Sequence, residues 1–255
     1  LTKTPILLLG GTQQAVQLAK RLHGDNQFDV TYSLAGVTRS PTAVPGKVRV
    51  GGFGGVAGLE TYLANTGTKY VIDATHPFAT TMSIHAAQAC GKLSIPRILV
   101  ERPAWSPSPS DRWIAAKDIA DAVTEVDHLN AKAVLLTTGS RDVDIFFAAE
   151  GPRLFVRSVE PPSVAPATTF TWIEGRGPFA LGEELALLRR YGIDCLVTKN
   201  SGGDATAAKL VAARQLRVPV IMIERPSTSI SDTATTTQGV VQWLTAQRLL
   251  TDLPQ

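Results

Sequence analysis

Two nine-residue stretches of this 255-residue chain, "IPRILVERP" at Ile95–Pro103 and "VPVIMIERP" at Val218–Pro226, write nearly the same strand twice, 123 positions apart. Each opens on an apolar residue and Pro, continues through a mostly apolar run and ends in Glu-Arg-Pro. A short apolar run closed by proline reads as a buried strand, because the closing proline has no amide to donate to a further strand bond. The shared Glu-Arg-Pro favours reading the two copies as the closing strands of two similar units, the competing reading being that any two buried strands after proline look alike.

The segments before each copy agree with this. In "PILLLGGTQQAVQLAKRLH" an apolar run passes through a glycine turn into Ala15, Leu18, Ala19 and Leu22 at helical spacing. "AVLLTTGSRDVDIFFA" repeats the order strand, glycine turn, helix. The strands "FDVTYSLAG", "VRVGGFGG" and "KYVIDATHPFA" follow in the first half, and "RLFVRS" and "IDCLVTKNSGG" in the second. Helices are expected over "VAGLETYLANTG", Phe78–Lys92, "PFALGEELALLRRYG", "DATAAKLVAARQLR" and Thr235–Leu250, the last with Asp232 near its N-cap. Such alternation implies an α/β fold with parallel sheets covered on both faces. The proline- and serine-rich stretch "RPAWSPSPSDRW" fits neither helix nor central strand. It divides the chain into a first domain at 1–103, a semi-rigid linker at 104–112 and a second domain at 113–255.

Hydrophobic residues are 44% and charged residues 18%, enough apolar surface for a sizeable core. The net charge of +3 comes from scattered basic residues with no Lys/Arg block. That gives nucleic-acid binding no support and suits an acidic small molecule. Cys90 and Cys195 show no pairing pattern, as expected in a reducing cytosol. There is neither a leader-like segment at Leu1 nor a run of about 18 apolar residues. The expectation is a cytoplasmic protein without a membrane partner. His23, His85 and His128 fall in helical segments without metal-ligand spacing, so no metal is expected.

Ligands of open parallel sheets bind beyond the carboxyl ends of the strands. After the first strand, Gly10, Gly11, Thr12 and Gln13 open a helix whose free amides suit a phosphate. The pattern is not GxGxxG, and a tight turn without a ligand is the competing reading. After the second strand no acidic residue offers itself to a ribose. Thr38 and Arg39 do stand there, and a guanidinium with a flanking hydroxyl suits a 2′-phosphate, favouring NADP over NAD. Taken alone, Arg39 reads as a solvated surface residue rather than a ligand for a phosphate. The loop "GGFGG", with Gly52 and Gly54, permits close approach of a ligand or is merely a surface turn. In "DATHPFA", Thr75, His76, Pro77 and Phe78 lie at a strand end, with His76 either a proton donor or a structural histidine. In the second half, Gly139, Ser140 and Arg141 repeat the turn after a strand. Lys199, Asn200, Ser201 and Gly202 form a second candidate anion site, and Arg176 adds a further cation. Arg102 and Arg225 end the repeated strands, either as anion-binding cations or as local partners of Glu101 and Glu224. A nucleotide cradle in one half and anion-binding cations in the other suggest a redox enzyme acting on a polycarboxylate.

The stretches "LLLGGTQQAVQLA", "YSLAGVTR", "GGFGGVAGLETYL", "VIDATHPFA", "ILVERPAW" and "LVTKNSGGDATAAKLVAARQLRVPVIMIERP" together resemble the precorrin-6A reductase family of cobalamin biosynthesis, from about Leu7 to Pro226. The resemblance implies NADPH-dependent reduction of a macrocycle double bond, giving precorrin-6B. It implies two Rossmann-like domains, the first for the coenzyme and the second largely for the tetrapyrrole, with final strands exchanged between the sheets. The two similar strands are then the expected exchanged pair. Arg102, Arg141, Arg176, Lys199 and Arg225 are the candidates to meet the acetate and propionate groups, and the proton comes from His76 or from water. Transient contact with neighbouring pathway enzymes is the partner expectation. The rival readings are another NADP-dependent reductase of an anionic molecule and a non-catalytic NADP(H) sensor.

Overall fold

The computed structural model describes residues 3–148, 151–162, 170–226 and 232–251. It divides into two compact units, Leu1–Arg102 with Pro226–Gln255, and Pro103–Arg225.

The first unit is a parallel sheet built around β1 (Thr4–Leu9), which lies between β2 (Phe28–Leu34) and β4 (Tyr70–Asp73). β3 (Lys47–Val50) extends it beyond β2, and β5 (Arg97–Val100) beyond β4. Ile6 to Leu9 are all buried, each worth roughly 1.5–3 kcal/mol of transfer free energy. Their two-residue period sends them to opposite faces. Ile6 and Leu8 join Ala15, Leu18, Ala19 and Leu22 of α1 (Gln13–His23). Leu7 and Leu9 pack with Leu59 and Leu63 of α2 (Gly55–Asn65), and with Ala86, Ala89 and Cys90 of α3 (Thr80–Leu93).

The second unit repeats the plan around β7 (Ala133–Leu136), between β8 (Arg153–Ser158) and β10 (Cys195–Lys199), with β9 (Phe170–Glu174) beyond β8 and β11 (Val220–Ile223) beyond β10. β6 (Trp113–Ala116) leads into α4 (Ile119–His128). α5 (Leu181–Tyr191) ends at Gly192 in the left-handed region, and α6 (Ala208–Leu216) precedes β11. The helix expected after the Gly139 turn is a short 3-10 segment, Asp144–Ala148.

The sixth strand of each sheet corrects the expected boundaries. Beside β5 lies β12 (Thr233–Ala234), held by the Leu99 amide donating to Asp232 O (3.0 Å) and the Glu101 amide donating to Ala234 O (2.9 Å). Asp232 therefore extends an edge strand rather than capping the last helix, and its Oδ2 accepts from Trp243 Nε1 at 3.1 Å. The last helix, α7 (Thr237–Thr251), buries Val240 and Leu244 in the first unit's core. Residues from Pro226 onward thus belong to the first unit, not to a domain ending at 255. β6 takes the matching place beside β11. The sheet orders are β12-β5-β4-β1-β2-β3 and β6-β11-β10-β7-β8-β9. The repeated strands, β5 and β11, each stay in their own sheet. The strand that follows each of them is the one that joins the other sheet.

The 104–112 stretch is part of the second unit rather than a linker. Trp105 packs against that unit's core, and Asp111 takes a two-bond pair from Arg214, Nε to Oδ1 at 2.8 Å and Nη2 to Oδ2 at 2.9 Å. Two parallel N–H···O bonds fix direction as well as distance, which anchors this proline-rich strap to α6. No helix among the described residues is long and apolar enough to cross a membrane.

Candidate functional site

In the first unit the strand order reverses at β1, so its carboxyl end and that of β4 flank the crevice where ligands of such sheets bind. Gly10, Gly11 and Thr12 turn the chain there. Gly10 has no room for a side chain: a Cβ would stand 2.3 Å from the Tyr32 ring. Tyr32 Oη accepts from the Gly11 amide at 3.2 Å, and burial raises its pKa although that amide pulls the other way. Gly11 differs from Gly10. Its φ is +117°, and a Cβ on it would meet nothing within 4 Å. Thr12 caps α1, its Oγ1 accepting from the Ala15 amide at 3.1 Å and donating to Ala74 O at 2.8 Å. That hydroxyl ties β1 to β4 and so is already committed. Gln13 begins α1 beside it.

β4 ends on Asp73, fully buried. Its Oδ2 faces Arg97 Nη1 at 3.3 Å, and its Oδ1 accepts from the Thr75 hydroxyl at 2.7 Å and the Thr75 amide at 3.3 Å. Thr75 therefore serves the Asp73 cluster. His76, Pro77 and Phe78 follow, half-buried, ahead of α3. His76 Nδ1 accepts from the Phe78 amide at 3.3 Å, which leaves the proton of a neutral ring on Nε2.

Beyond β2, Thr38 is half-buried and Arg39 exposed. Beyond β3 the "GGFGG" loop is organised by Arg49, which sequence reasoning passed over. Its Nη1 donates to Gly51 O (2.5 Å) and Ser33 Oγ (3.3 Å), and its Nη2 to Gly52 O (2.6 Å). The guanidinium lies 3.7 Å from the Phe53 ring centroid. Gly54 caps α2 at φ +83°. The signal was available: an arginine inside a strand, one turn from a loop of backbone acceptors and one aromatic ring, suits the planar fork of a guanidinium.

In the second unit, Gly139 (φ +98°) and Ser140 follow β7, and Arg141 is exposed. Lys199, at the end of β10, is ion-paired with Asp142. Arg176 is exposed after β9, and Arg102 is the last residue of the first unit's opening segment, half-buried. The residues after Lys199 depart from the expected anion cradle. Asn200 spends its side chain on the Trp105 backbone, accepting from its amide at 2.8 Å and donating to its carbonyl at 3.1 Å. The Ser201 amide donates to Lys199 O at 2.7 Å, and Ser201 is buried. A Cβ on Gly202 would stand 2.1 Å from Pro103 O and 2.6 Å from Arg225 Nη2. Arg225 Nε donates to Asn200 O at 2.7 Å. Asn200, Gly202 and Arg225 thus grip the Pro103–Trp105 strap. The helix that follows begins as a 3-10 turn at Asp204–Thr206, so Ser201 and Gly202 do not form its N-terminus.

A buried ionic group underlies this unit and has no counterpart in the sequence reading. Arg157 of β8 donates from Nη1 to Glu184 Oε1 of α5 at 2.6 Å, both nearly inaccessible. Its guanidinium lies 4.1 Å from the Phe179 ring centroid. Lys209 of α6, also buried, donates to Thr137 Oγ1 at 3.0 Å. Burial, followed by repulsion from Arg157, lowers the Lys209 ammonium to about 7 against an opposing pull from Glu184. Among the described residues no cluster of three or more His, Cys, Asp or Glu side chains could hold a metal ion.

Two doubly wound parallel sheets, each with a glycine turn at its central strand, define a tandem Rossmann-like α/β protein. The sequence profile of the family described as "Precorrin-6x reductase CbiJ/CobK" matches residues 5–245, and the chain belongs to that family. A protein named precorrin-6A reductase from Rhodococcus erythropolis is 41% identical over 94% of this chain and 97% of its own length. A solved structure titled "CobK precorrin-6A reductase" superposes with a TM-score of 0.89 at 41% identity, covering 95% of this chain and 96% of that one. A protein named cobalt-precorrin-6A reductase from Priestia megaterium is 29% identical over 95% of this chain and 98% of its own length.

Proposed function

We propose that this oxidoreductase reduces metal-free precorrin-6A to precorrin-6B with NADPH, holding the coenzyme on the first unit and the tetrapyrrole carboxylates largely on the second. The family supplies the reaction. Its metal-free form is favoured by the higher identity to the precorrin-6A enzyme than to the cobalt-precorrin-6A one. The geometric observation that carries the division of labour is Gly11. Its backbone is open on the side where a Cβ would point, at the start of an eleven-residue helix. A diphosphate fits a turn of this kind, stabilised by helix amides and the positive end of the helix dipole.

When bound, NADPH supplies the hydride. The chain orients and neutralises. Gly11 and Gln13 face the diphosphate, while Arg39 and Thr38 meet the 2′-phosphate. Gly52 and Gly54 form the rim that Arg49 keeps in shape, and Pro77 and Phe78 close the far side. His76, whose Nδ1 accepts from the Phe78 amide in the neutral ring, takes up a solvent proton to become the imidazolium and passes one from Nε2 to the carbon next to the one reduced. In the second unit Ser140, Arg141, Arg176 and Lys199 are assigned to the acetate and propionate groups, each of which would cost several kcal/mol if left desolvated without a partner. We place the reaction in the cytoplasm. Burial pushes the Cys90 thiol up to about 11 and the Cys195 thiol to about 12, so both suit a protein that keeps free thiols.

Arg39→Ala tests the coenzyme assignment. Losing a charge-assisted bond to the 2′-phosphate costs about 1.5–3 kcal/mol. The KM for NADPH should rise by roughly one to two orders of magnitude while that for NADH stays nearly unchanged. Equal changes for the two coenzymes remove Arg39 from the role.

A further inference from the structure

Lys209 sits in the first turn of α6 and is 4% exposed, a position where an aliphatic residue would pack without the cost of burying an ammonium. Its surroundings only partly offset that cost. Nζ donates to Thr137 Oγ1 at 3.0 Å and lies 5.4 Å from the Trp105 ring centroid. The carboxylate of the group, Glu184 on α5, gives Oε1 to Arg157 of β8. Two buried cations therefore share one carboxylate. Thr137 is the first residue after β7. Its amide (2.9 Å) and its hydroxyl (3.1 Å) both donate to Val197 O of β10, which fixes where the chain leaves the sheet. The next three residues are Thr138, Gly139 and Ser140. Thr138 is buried, with no hydrogen-bond partner for Oγ1 among the described residues. Gly139 has a φ of +98°, with nothing within 4 Å of where a Cβ would stand. This turn occupies, at the central strand of the second sheet, the place that Gly10–Thr12 holds at the central strand of the first.

We propose that Lys209 is a positioning residue for the Thr137–Ser140 turn. It fixes Thr137 and places a buried positive charge beneath the turn, and so prepares it for a carboxylate of the substrate. The inference rests on the assignment of the tetrapyrrole to the second unit. An ammonium and a neutral amine can both donate to Thr137, so the geometry survives deprotonation while the charge does not. The charged groups facing Lys209 are Arg157 and Glu184; Thr137 and Trp105 are neutral. Because the Lys209 pKa is lowered to about 7, the ammonium is present below that value and lost above it. Anion binding at the turn should accordingly weaken as pH rises through neutrality.

The test measures dissociation of metal-free precorrin-6A, by anaerobic absorbance titration without coenzyme, at pH near 6 and near 8. It compares the parent, Lys209→Met, Thr137→Val, the double variant and Lys199→Ala. The parent should bind several-fold more tightly at the lower pH. Lys209→Met should bind roughly ten-fold more weakly at the lower pH and show little dependence on pH. NADPH affinity should be spared. The Thr137→Val and Lys209→Met effects should fall short of additive, because one acts through the other. Parent-like binding by Lys209→Met overturns the positioning role. Should that variant fail to fold, parent-like binding by Thr137→Val, or a pH-independent parent, overturns it instead. Parent-like binding by Lys199→Ala, with Lys209→Met weakened, counts against the Lys199 assignment and leaves the positioning role supported. Parent-like binding by both overturns the tetrapyrrole assignment as well.

Discussion

Arg97→Met should lower the unfolding free energy of the first unit by about 3–5 kcal/mol, the cost of leaving a buried carboxylate without its cation. Asp73 is fully buried at the end of β4. Its oxygens are satisfied by the Arg97 guanidinium and by the hydroxyl and amide of Thr75. Methionine fills most of the arginine volume, so packing loss is small and the stranded charge dominates. Adding Asp73→Asn should recover much of the loss, because a neutral amide in the same place carries no uncompensated charge. Urea unfolding of both variants reads the difference directly. A loss below about 1 kcal/mol for Arg97→Met would mean that Asp73 does not depend on this partner.

The second large effect is expected at Gly202. Its φ is +65°, and the Cβ of an alanine there would stand 2.1 Å from the carbonyl oxygen of Pro103, a backbone atom that cannot simply rotate away. A left-handed non-glycine residue costs about 1–2 kcal/mol, and forcing a methyl into filled space a further 1–3 kcal/mol. Gly202→Ala should therefore destabilise the second unit by roughly 2–5 kcal/mol. It should also loosen the Pro103–Trp105 strap, which changes the near-ultraviolet signal of Trp105. Gly192→Ala provides the comparison, because its φ of +60° carries a similar backbone penalty and a Cβ there meets nothing within 4 Å. If the two substitutions cost the same, the strap is not gripped where Gly202 meets it.

Sequence reading succeeded where local chemistry has one outcome. The run Ile6–Leu9, the spacing of Ala15, Leu18, Ala19 and Leu22, and the glycine after Tyr191 each specify an element by themselves, and the structure has them. It failed where tertiary pairing decides. Thr233–Ala234 is too short to announce a strand, and only β5 makes it one. The repeated Ile95–Pro103 and Val218–Pro226 stretches looked like the exchanged elements because they looked alike. They look alike because each fills the fifth place of its own sheet. At the candidate site, the strand ends were legible from glycine and polar residues after apolar runs. The partners were not. That Thr12 would spend its hydroxyl on Ala74, Asn200 its amide on Trp105, and Arg225 its Nε on Asn200 depends on neighbours up to 95 residues away in sequence. Arg49, Arg157 and Lys209 were missed for the same reason, since a basic residue inside an element reads as solvated until its surroundings are known.

The central claim is tested by anaerobic incubation of the protein with metal-free precorrin-6A and NADPH, followed by mass spectrometry of the tetrapyrrole. The account predicts a product heavier by two hydrogens, formed with stoichiometric loss of NADPH absorbance and sharply reduced when NADH replaces it. A tetrapyrrole recovered at unchanged mass from active, folded protein, or one reduced equally well with NADH, would contradict it.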